Sequence, residues 1–538
     1  MAAPRKRTLT RKPKDGAQGP PVEPPKPFAA LDLGATAVRL VIAQGEADSM
    51  RIIEEASRGV LIGKDTFTNG RVGQPTVEAT LQAIEGFRSI MDTFGVVRYR
   101  AVATSALREA TNRDTVLDRI RVRTGIDVEV IDGSEENRLT YLAVRESLKA
   151  MPELATETCL VAEVGGGSAD LSTLHQGEPA HSGTYAIGSI RLRQSFAAFQ
   201  GSPALFQKLI LRHIKNVVDD IRRELPLDQV KHFIALGSDA RLVAHILGGS
   251  AAAAPAPSSV IPRAKFLKAC DDIAALDVDT ILATHGLSQA EAETLAPALL
   301  VYAELVRATK AEVITVSNAT LRHGLIADLA RSEAGLGLEV FSRQVLASAN
   351  ALGEKYNYDF KHARHIANLS VQLFDELKSE HGLDPRDRLM LEVAALLHDI
   401  GLFVNLRAHH KHSQYLISVS EIFGMSRDDL LIVSNIARYH RRGLPQRAHI
   451  PYMALDREAK IVVNKLAAIL RMANALDADH QQKVKNVRVK PEGPVIVFEV
   501  EGVGDLTMER LALLARSDFF QDAFGRRVTF REMTRGEP

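Results

Sequence analysis

One pattern, present twice, narrows the fold of this chain more than any other feature. Phe28-Ala-Ala-Leu-Asp32-Leu-Gly34-Ala-Thr36-Ala-Val-Arg-Leu-Val-Ile-Ala43 reads as an apolar strand ending in an acid, a tight glycine turn with a hydroxyl, and a second strand. About 130 residues later, Cys159-Leu-Val-Ala-Glu163-Val-Gly165-Gly166-Gly167-Ser168-Ala-Asp170-Leu-Ser-Thr-Leu174 repeats it. A period this long excludes a short-repeat solenoid and predicts two related lobes.

Between the copies lie helical stretches at Val77 to Phe94, Arg113 to Thr124 and Glu135 to Lys149, with strands at Tyr99 to Thr104 and Asp127 to Ile131. Alternating β and α elements predict layered α/β lobes. After the second copy come a strand near His181 to Tyr185, a long helical region from Ser189 to Glu224, and strands at Lys231 to Leu236 and Ala311 to Val316. The uncharged run Leu242 to Pro262 reads as a linker, because its glycines, serines and prolines fit a membrane span poorly. From about Arg331 the character changes: helical periodicity dominates Phe341 to Ala478, and short strands at Val487 to Val500 and Arg527 to Arg531 follow. The expected units are a tail over 1–27, α/β lobes over 28–155 and 156–330, a helical domain over 331–480 and a small α+β cap over 481–538.

Composition removes several functions. With 67 Lys+Arg against 66 Asp+Glu, the formal net charge is +1, so no chain-wide basic field holds nucleic acid. The two cysteines, Cys159 and Cys270, form no CxxC pair, so neither a disulfide framework nor a thiolate zinc site is expected, and a reducing, cytoplasmic setting is. Residues 1–27 carry seven Lys/Arg, seven prolines and two acids, with no apolar stretch to make a signal-peptide core or anchor. Such a segment buries too little surface to offset its chain entropy and reads as disordered, an inert tail or a basic arm.

The repeated turns suit phosphate. Glycine lets backbone N–H groups approach the oxygens, Thr36 and Ser168 add hydroxyls, and Asp32, Glu163 and Asp170 supply carboxylates for a Mg²⁺ that screens the charge. Ala103-Thr104-Ser105-Ala106-Leu107-Arg108 leaves a strand and enters a helix, placing hydroxyls and a guanidinium where an anion is welcome. Asp132-Gly133-Ser134-Glu135-Glu136-Asn137-Arg138 opens another helix, with Ser134 as its expected N-cap. Each segment also has a plain structural reading, as a hairpin or a capped helix start.

Taken in order and spacing, these motifs resemble the exopolyphosphatase and guanosine pentaphosphate phosphatase family (Ppx/GppA), whose members carry actin-like lobes. The likeness includes Gly188-Ser-Ile-Arg191-Leu and runs from about Phe28 to the C-terminus. It implies two α/β, actin-like (RNase H-like) lobes facing a phosphate cleft, then an all-α HD-like domain with a small cap. It further implies Glu136 as the base that orients water, and Arg108, Thr36, Gly165, Gly166, Gly167 and Ser168 as phosphate binders. Asp32, Glu163 and Asp170 would manage Mg²⁺ or Mn²⁺. The implied substrate is inorganic polyphosphate or pppGpp, with a homodimer as the expected assembly. A kinase of the same superfold and a non-catalytic polyphosphate or alarmone sensor are the alternatives. Two departures stand out: Glu163 and Asp170 exchange the usual aspartate and glutamate, and Asp239 enters the stretch Leu236-Gly237-Ser238-Asp239-Ala240.

In the helical region, His362, His398 and Asp399 fall in the order of an HD-type metal site, with Asn474 at the distant aspartate position and Asp477 one turn on. His409, His410, Lys411 and His412, with Arg438, His440, Arg441 and Arg442, form two cationic clusters. These are either solvated surface or the lining of a polyphosphate channel.

Overall fold

The computed structural model describes residues 26–45, 50–149, 151, 156–197, 203–248, 259–333, 337–441 and 443–533. The expected disorder of the tail falls outside these residues except at Lys26 and Pro27, and so does Arg442.

The first sheet contains β1 (Phe28–Leu33), β2 (Ala37–Gln44), β3 (Arg51–Gly59), β4 (Arg98–Ala103) and β5 (Glu129–Val130), in the order β3-β2-β1-β4-β5. The central β1 is an apolar run buried on both faces, whereas the edge strand β3 is charged and largely exposed. The second sheet contains β6 (Cys159–Val164), β7 (Ala169–His175), β8 (Glu178–Tyr185), β9 (His232–Leu236), β10 (Ser259–Pro262) and β11 (Val313–Val316). Its order is β10-β11-β9-β6-β7-β8. Read from β8, this is the first sheet again with β10 added at the edge.

The copies match in register as well as in order. Asp32 lies opposite Arg39 across the antiparallel β1–β2 pair, and Glu163 lies opposite Asp170 across β6–β7. Directly opposed residues share a face of the sheet, so each turn presents a side-chain pair to the same side. The Gln289–Ala308 helix packs behind the second sheet and is buried over most of its surface. Its Tyr302 hydroxyl accepts from the Val164 N–H at 3.0 Å and donates to the Leu236 carbonyl, tying the ends of β6 and β9 together.

Helices dominate from Gly337, and β12 (Val484–Glu492), β13 (Val495–Gly502) and β14 (Arg527–Glu532) form a three-stranded sheet. One apolar core runs continuously from Val345 through the helices to Val528 of that sheet. The helical region also grips the first lobe. Ser134 Oγ donates to the Met425 carbonyl at 2.5 Å, the Arg427 N–H to Asp132 at 3.1 Å, and Phe423 meets Tyr141 edge-on at 5.7 Å.

Three local expectations are corrected. Leu242–Ile246 belongs to the helix Ser238–Ile246, and Ser259–Pro262 pairs with β11, so both ends of the expected linker are regular structure, and its residues 249–258 lie outside the described residues. The helical region from Ser189 is two helices, Ser189–Ser195 and Pro203–Glu224. Asp132, rather than Ser134, accepts the Glu135 N–H at 3.1 Å and caps the Gly133–Lys149 helix.

Candidate active site

The two glycine turns meet face to face. Each is closed by an equivalent bond, Gly34 N–H to the Ala37 carbonyl at 3.1 Å and Gly165 N–H to the Ser168 carbonyl at 2.8 Å. A Cβ on Gly166 would stand 2.8 Å from the Ala35 Cβ, and one on Gly167 would stand 2.4 Å from Ser105 Oγ. Only glycine permits so close an approach between the lobes. The start of the Ser189–Ser195 helix seats the second turn: N–H groups of Ser189, Ile190 and Arg191 donate to the Gly165 and Gly166 carbonyls at 2.9–3.0 Å. Arg191 Nε donates to the Gly167 carbonyl at 2.7 Å while its guanidinium lies over the Phe67 ring. These contacts occupy carbonyls and leave the N–H groups of Gly166, Gly167 and Ser168 unused by them.

Four carboxylates converge beside the turns. Asp32, 6% exposed, lies 3.3 Å from Arg322 and 3.6 Å from Arg39, which also donates to Thr36 Oγ1 at 3.0 Å. Asp170 accepts from Ser168 Oγ at 3.0 Å and Thr184 Oγ1 at 2.8 Å. Thr140 reaches Glu163 at 3.5 Å, and Glu136 sits one turn earlier on the same face of that helix. Arg108 donates to the Ile131 carbonyl at 2.7 Å and to Glu136 Oε2 at 3.3 Å. Thr104 precedes the short helix Ser105–Arg108 without a side-chain cap bond, and Ser105 faces Gly167.

Crowding and burial shift these acids. Burial, with Asp170 next, pushes the Glu163 carboxyl up to about 7, against the pull of Arg241. Burial followed by Asp170 raises Glu136 well above its usual range, while Arg108 opposes the shift. Asp239 is likewise pushed up to about 7 by burial, against Arg241. Burial holds Glu136, Glu163 and Asp170 back from ionising, and with Asp32 beside them these carboxylates are the oxygen donors that could hold a hard divalent cation.

Sequence reasoning missed Arg39, Arg241 and Arg322. Arg39 was legible in principle, because it follows Asp32 at the interval by which Asp170 follows Glu163. Arg322 lies in the segment after β11 and reaches Asp32 only through the three-dimensional fold, so no local signal marks it.

A channel-like cavity of about 1710 Å³ is lined by Gly167, Ser168 and Thr184 of the second lobe and by Phe341, Arg386 and Arg427 of the helical region. The described residues of the two cationic clusters do not line it. Their helices turn His409 and His440 inward against Asp399, leaving these rings 4% and 1% exposed. His410, Lys411, His412, Arg438 and Arg441 belong to the same segments and are also absent from the channel wall. His362 meets Asp477, not Asn474, through a 2.7 Å contact.

Duplicated sheets joined at paired glycine turns, with a carboxylate at the end of each central strand, define an actin-like lobe pair. The chain belongs to the Ppx/GppA phosphatase family: the family profile matches residues 41–333 and its domain III residues 345–499. A guanosine-5'-triphosphate,3'-diphosphate pyrophosphatase of Vibrio vulnificus strain YJ016 is 23% identical over 488 residues, spanning 88% of this chain and 92% of the relative. The protein of that name from Pseudoalteromonas atlantica is 23% identical over 460 residues, spanning 84% and 87%. Among solved structures, an exopolyphosphatase from Cytophaga hutchinsonii superposes with TM-score 0.53 at 22% identity, covering 57% of this chain and 98% of its own. The Aquifex aeolicus family member gives 0.50 at 24%, covering 58% and 99%. These structures share the fold of the lobes. Among the described residues, no helix is long and apolar enough to cross a membrane.

Proposed function

We propose that this protein is an exopolyphosphatase releasing terminal orthophosphate from inorganic polyphosphate. The observation that carries the reading is the position of Glu136: paired with Arg108, one helical turn from the Thr140–Glu163 contact, and within electrostatic reach of Asp170, Glu163 and Asp32. Asp32, Glu163 and Asp170 would hold Mg²⁺, which supplies charge neutralisation on the phosphate oxygens when bound. Glu136 orients a water in line with the terminal phosphorus and takes its proton. Arg108 and the N–H groups of Gly166, Gly167 and Ser168 receive the charge developing on the transferring group. The helical region is read as an HD-like domain that flanks the channel through which the rest of the substrate extends.

One observation favours guanosine pentaphosphate as the substrate. Seven arginines along the channel are matched by eight acids, a balance poorly suited to a long polyanion. Orthophosphate release from long-chain polyphosphate and from pppGpp, with Mg²⁺ or EDTA, separates the two. Glu136→Ala should lower turnover by a factor of about 10²–10⁴ on the true substrate. Binding without turnover in the wild type would instead make it a sensor, and a requirement for an acceptor would make it a kinase.

A further inference from the structure

Three consecutive peptide units of the second glycine turn are held by their oxygens. The Gly165 carbonyl accepts from the Ser189 N–H at 2.9 Å, and the Gly166 carbonyl accepts from the N–H groups of Ile190 and Arg191 at 2.9 and 3.0 Å. The Gly167 carbonyl accepts from Arg191 Nε at 2.7 Å. All the donors belong to the short helix Ser189–Ser195, and only the last of them is a side chain.

Each held oxygen fixes a donor on the far side of its peptide. A trans peptide is planar, and its N–H points opposite to its carbonyl. Tying the carbonyls of Gly165, Gly166 and Gly167 to one helix therefore turns the N–H groups of Gly166, Gly167 and Ser168 away from that helix. Gly167 and Ser168 line the cavity. A guanidinium on the Gly167 carbonyl also polarises that amide and makes the Ser168 N–H a stronger donor.

Arg191 takes its own orientation from the first lobe. Its guanidinium lies 4.2 Å from the centre of the Phe67 ring, on the helix Ile62–Asn69, and a terminal nitrogen donates to Glu109 at 2.5 Å. Glu109 directly follows Arg108. A planar fork engaged at its face, at Nε and at a terminal nitrogen is held in one orientation, which an ammonium cannot reproduce. The preceding residue, Ile190, packs into the apolar core of the first lobe, so the short helix is seated in both lobes.

We infer that Arg191 is a positioning residue for phosphate, aiming the Ser168 N–H of one lobe at the group that Arg108 of the other lobe holds. It acts through the Gly167 peptide, with Phe67 and Glu109 setting its direction, and not by touching substrate. The inference rests on the phosphate-binding role proposed above for the second turn and names the side chain that sets that turn's last donor.

Orthovanadate, a mimic of the transferring phosphoryl group, tests this on the full chain without requiring turnover. Calorimetric titration with Mg²⁺ present is the first readout, and steady-state hydrolysis of polyphosphate and pppGpp is the second. Arg191→Met should weaken vanadate binding by about 10–10²-fold and lower kcat to a similar degree, with KM moving by less than about threefold. Arg191→Lys, which keeps the charge and loses the fork, should restore neither. Arg193→Met removes a 3.1 Å contact with Glu293 from the same helix and should change the melting temperature while leaving vanadate affinity as it is. Unchanged vanadate affinity in Arg191→Met overturns the inference, and so does a rise in KM with kcat intact, which would mean direct contact with substrate. Full recovery in Arg191→Lys overturns it too, because charge alone would then suffice, and that variant decides the matter if Arg191→Met does not fold. An equal loss in Arg193→Met would reduce the effect to helix stability and overturn it likewise. A wild type that binds no vanadate overturns this inference together with the role of the turn. One that binds vanadate but hydrolyses neither substrate overturns the proposed hydrolysis alone, and the binding data still judge Arg191.

Discussion

Burial and the neighbouring carboxylates of Asp170, Glu163 and Asp32 hold Glu136 protonated to higher pH than an ordinary glutamate, with Arg108 the opposing cation. A base acts only when deprotonated, so lowering the pH through that raised value removes activity. The acid limb of kcat/KM on short polyphosphate should lie well above the usual glutamate value of about 4.3, and Arg108→Met should move it higher still. A pH profile whose limb stays put in Arg108→Met would separate the two residues functionally. Asp32 offers a second test, because its charge is now met by Arg322 and Arg39. Arg322→Ala leaves a buried carboxylate poorly compensated, at a cost of about 1–3 kcal/mol. Added Mg²⁺ should restore more of the melting temperature in this variant than in the wild type, since a cation bound only by the native state stabilises it. Equal Mg²⁺ responses in the two proteins would remove Asp32 from the metal site.

Among the elements, the β6–β7 turn and the short helix seated on it act as one piece. A Cβ on Gly188 would fall 2.3 Å from the Gly167 carbonyl carbon, a backbone atom with nowhere to move. Gly188→Ala should therefore cost about 1–3 kcal/mol by overpacking and displace the phosphate-facing N–H groups. Thermal melts and KM for substrate measure the two effects, and a variant altered in stability alone would detach this helix from substrate binding. The duplicated turns were legible in the chain because each packs a strand, an acid and glycines into a few consecutive residues. Their cross-strand register also gives the exchange of Glu163 and Asp170 a physical account: the residues lie directly opposite, so lengthening one carboxylate and shortening the other keeps the pair spanning the same gap. What stayed hidden depends on distant packing. His409 and His440 look like a surface charge cluster in sequence, and only the crossing of their helices turns both rings onto Asp399. Asp477 lies one helical turn from the aligned Asn474, and the chain's exit from the Arg457–Ala475 helix decides which of them meets His362.

For the whole molecule, the seam between the first lobe and the helical region governs what the cleft can accept. Asp132 both caps the helix that carries Glu136 and receives the Arg427 N–H, so the channel wall and the base share a support. Several arginines on that wall are already committed: Arg100 and Arg138 each bind Glu135 and Asp328. A polyphosphate threading the channel would have to compete with these carboxylates, whereas a substrate presenting only a few phosphates would not. Removing acid should therefore matter in proportion to chain length. Asp114 and Asp428 are exposed on the channel rim, and replacing both with lysine changes the local charge by +4 without touching the cleft residues. KM for long polyphosphate should fall several-fold in Asp114→Lys/Asp428→Lys, the gain should shrink for short chains, and it should fade above roughly 0.3 M salt as screening shortens the reach of the added charges. Steady-state kinetics across chain lengths and salt concentrations read this directly. An equal change for long and short substrates would mean that the substrate tail leaves the cleft by a path other than this channel.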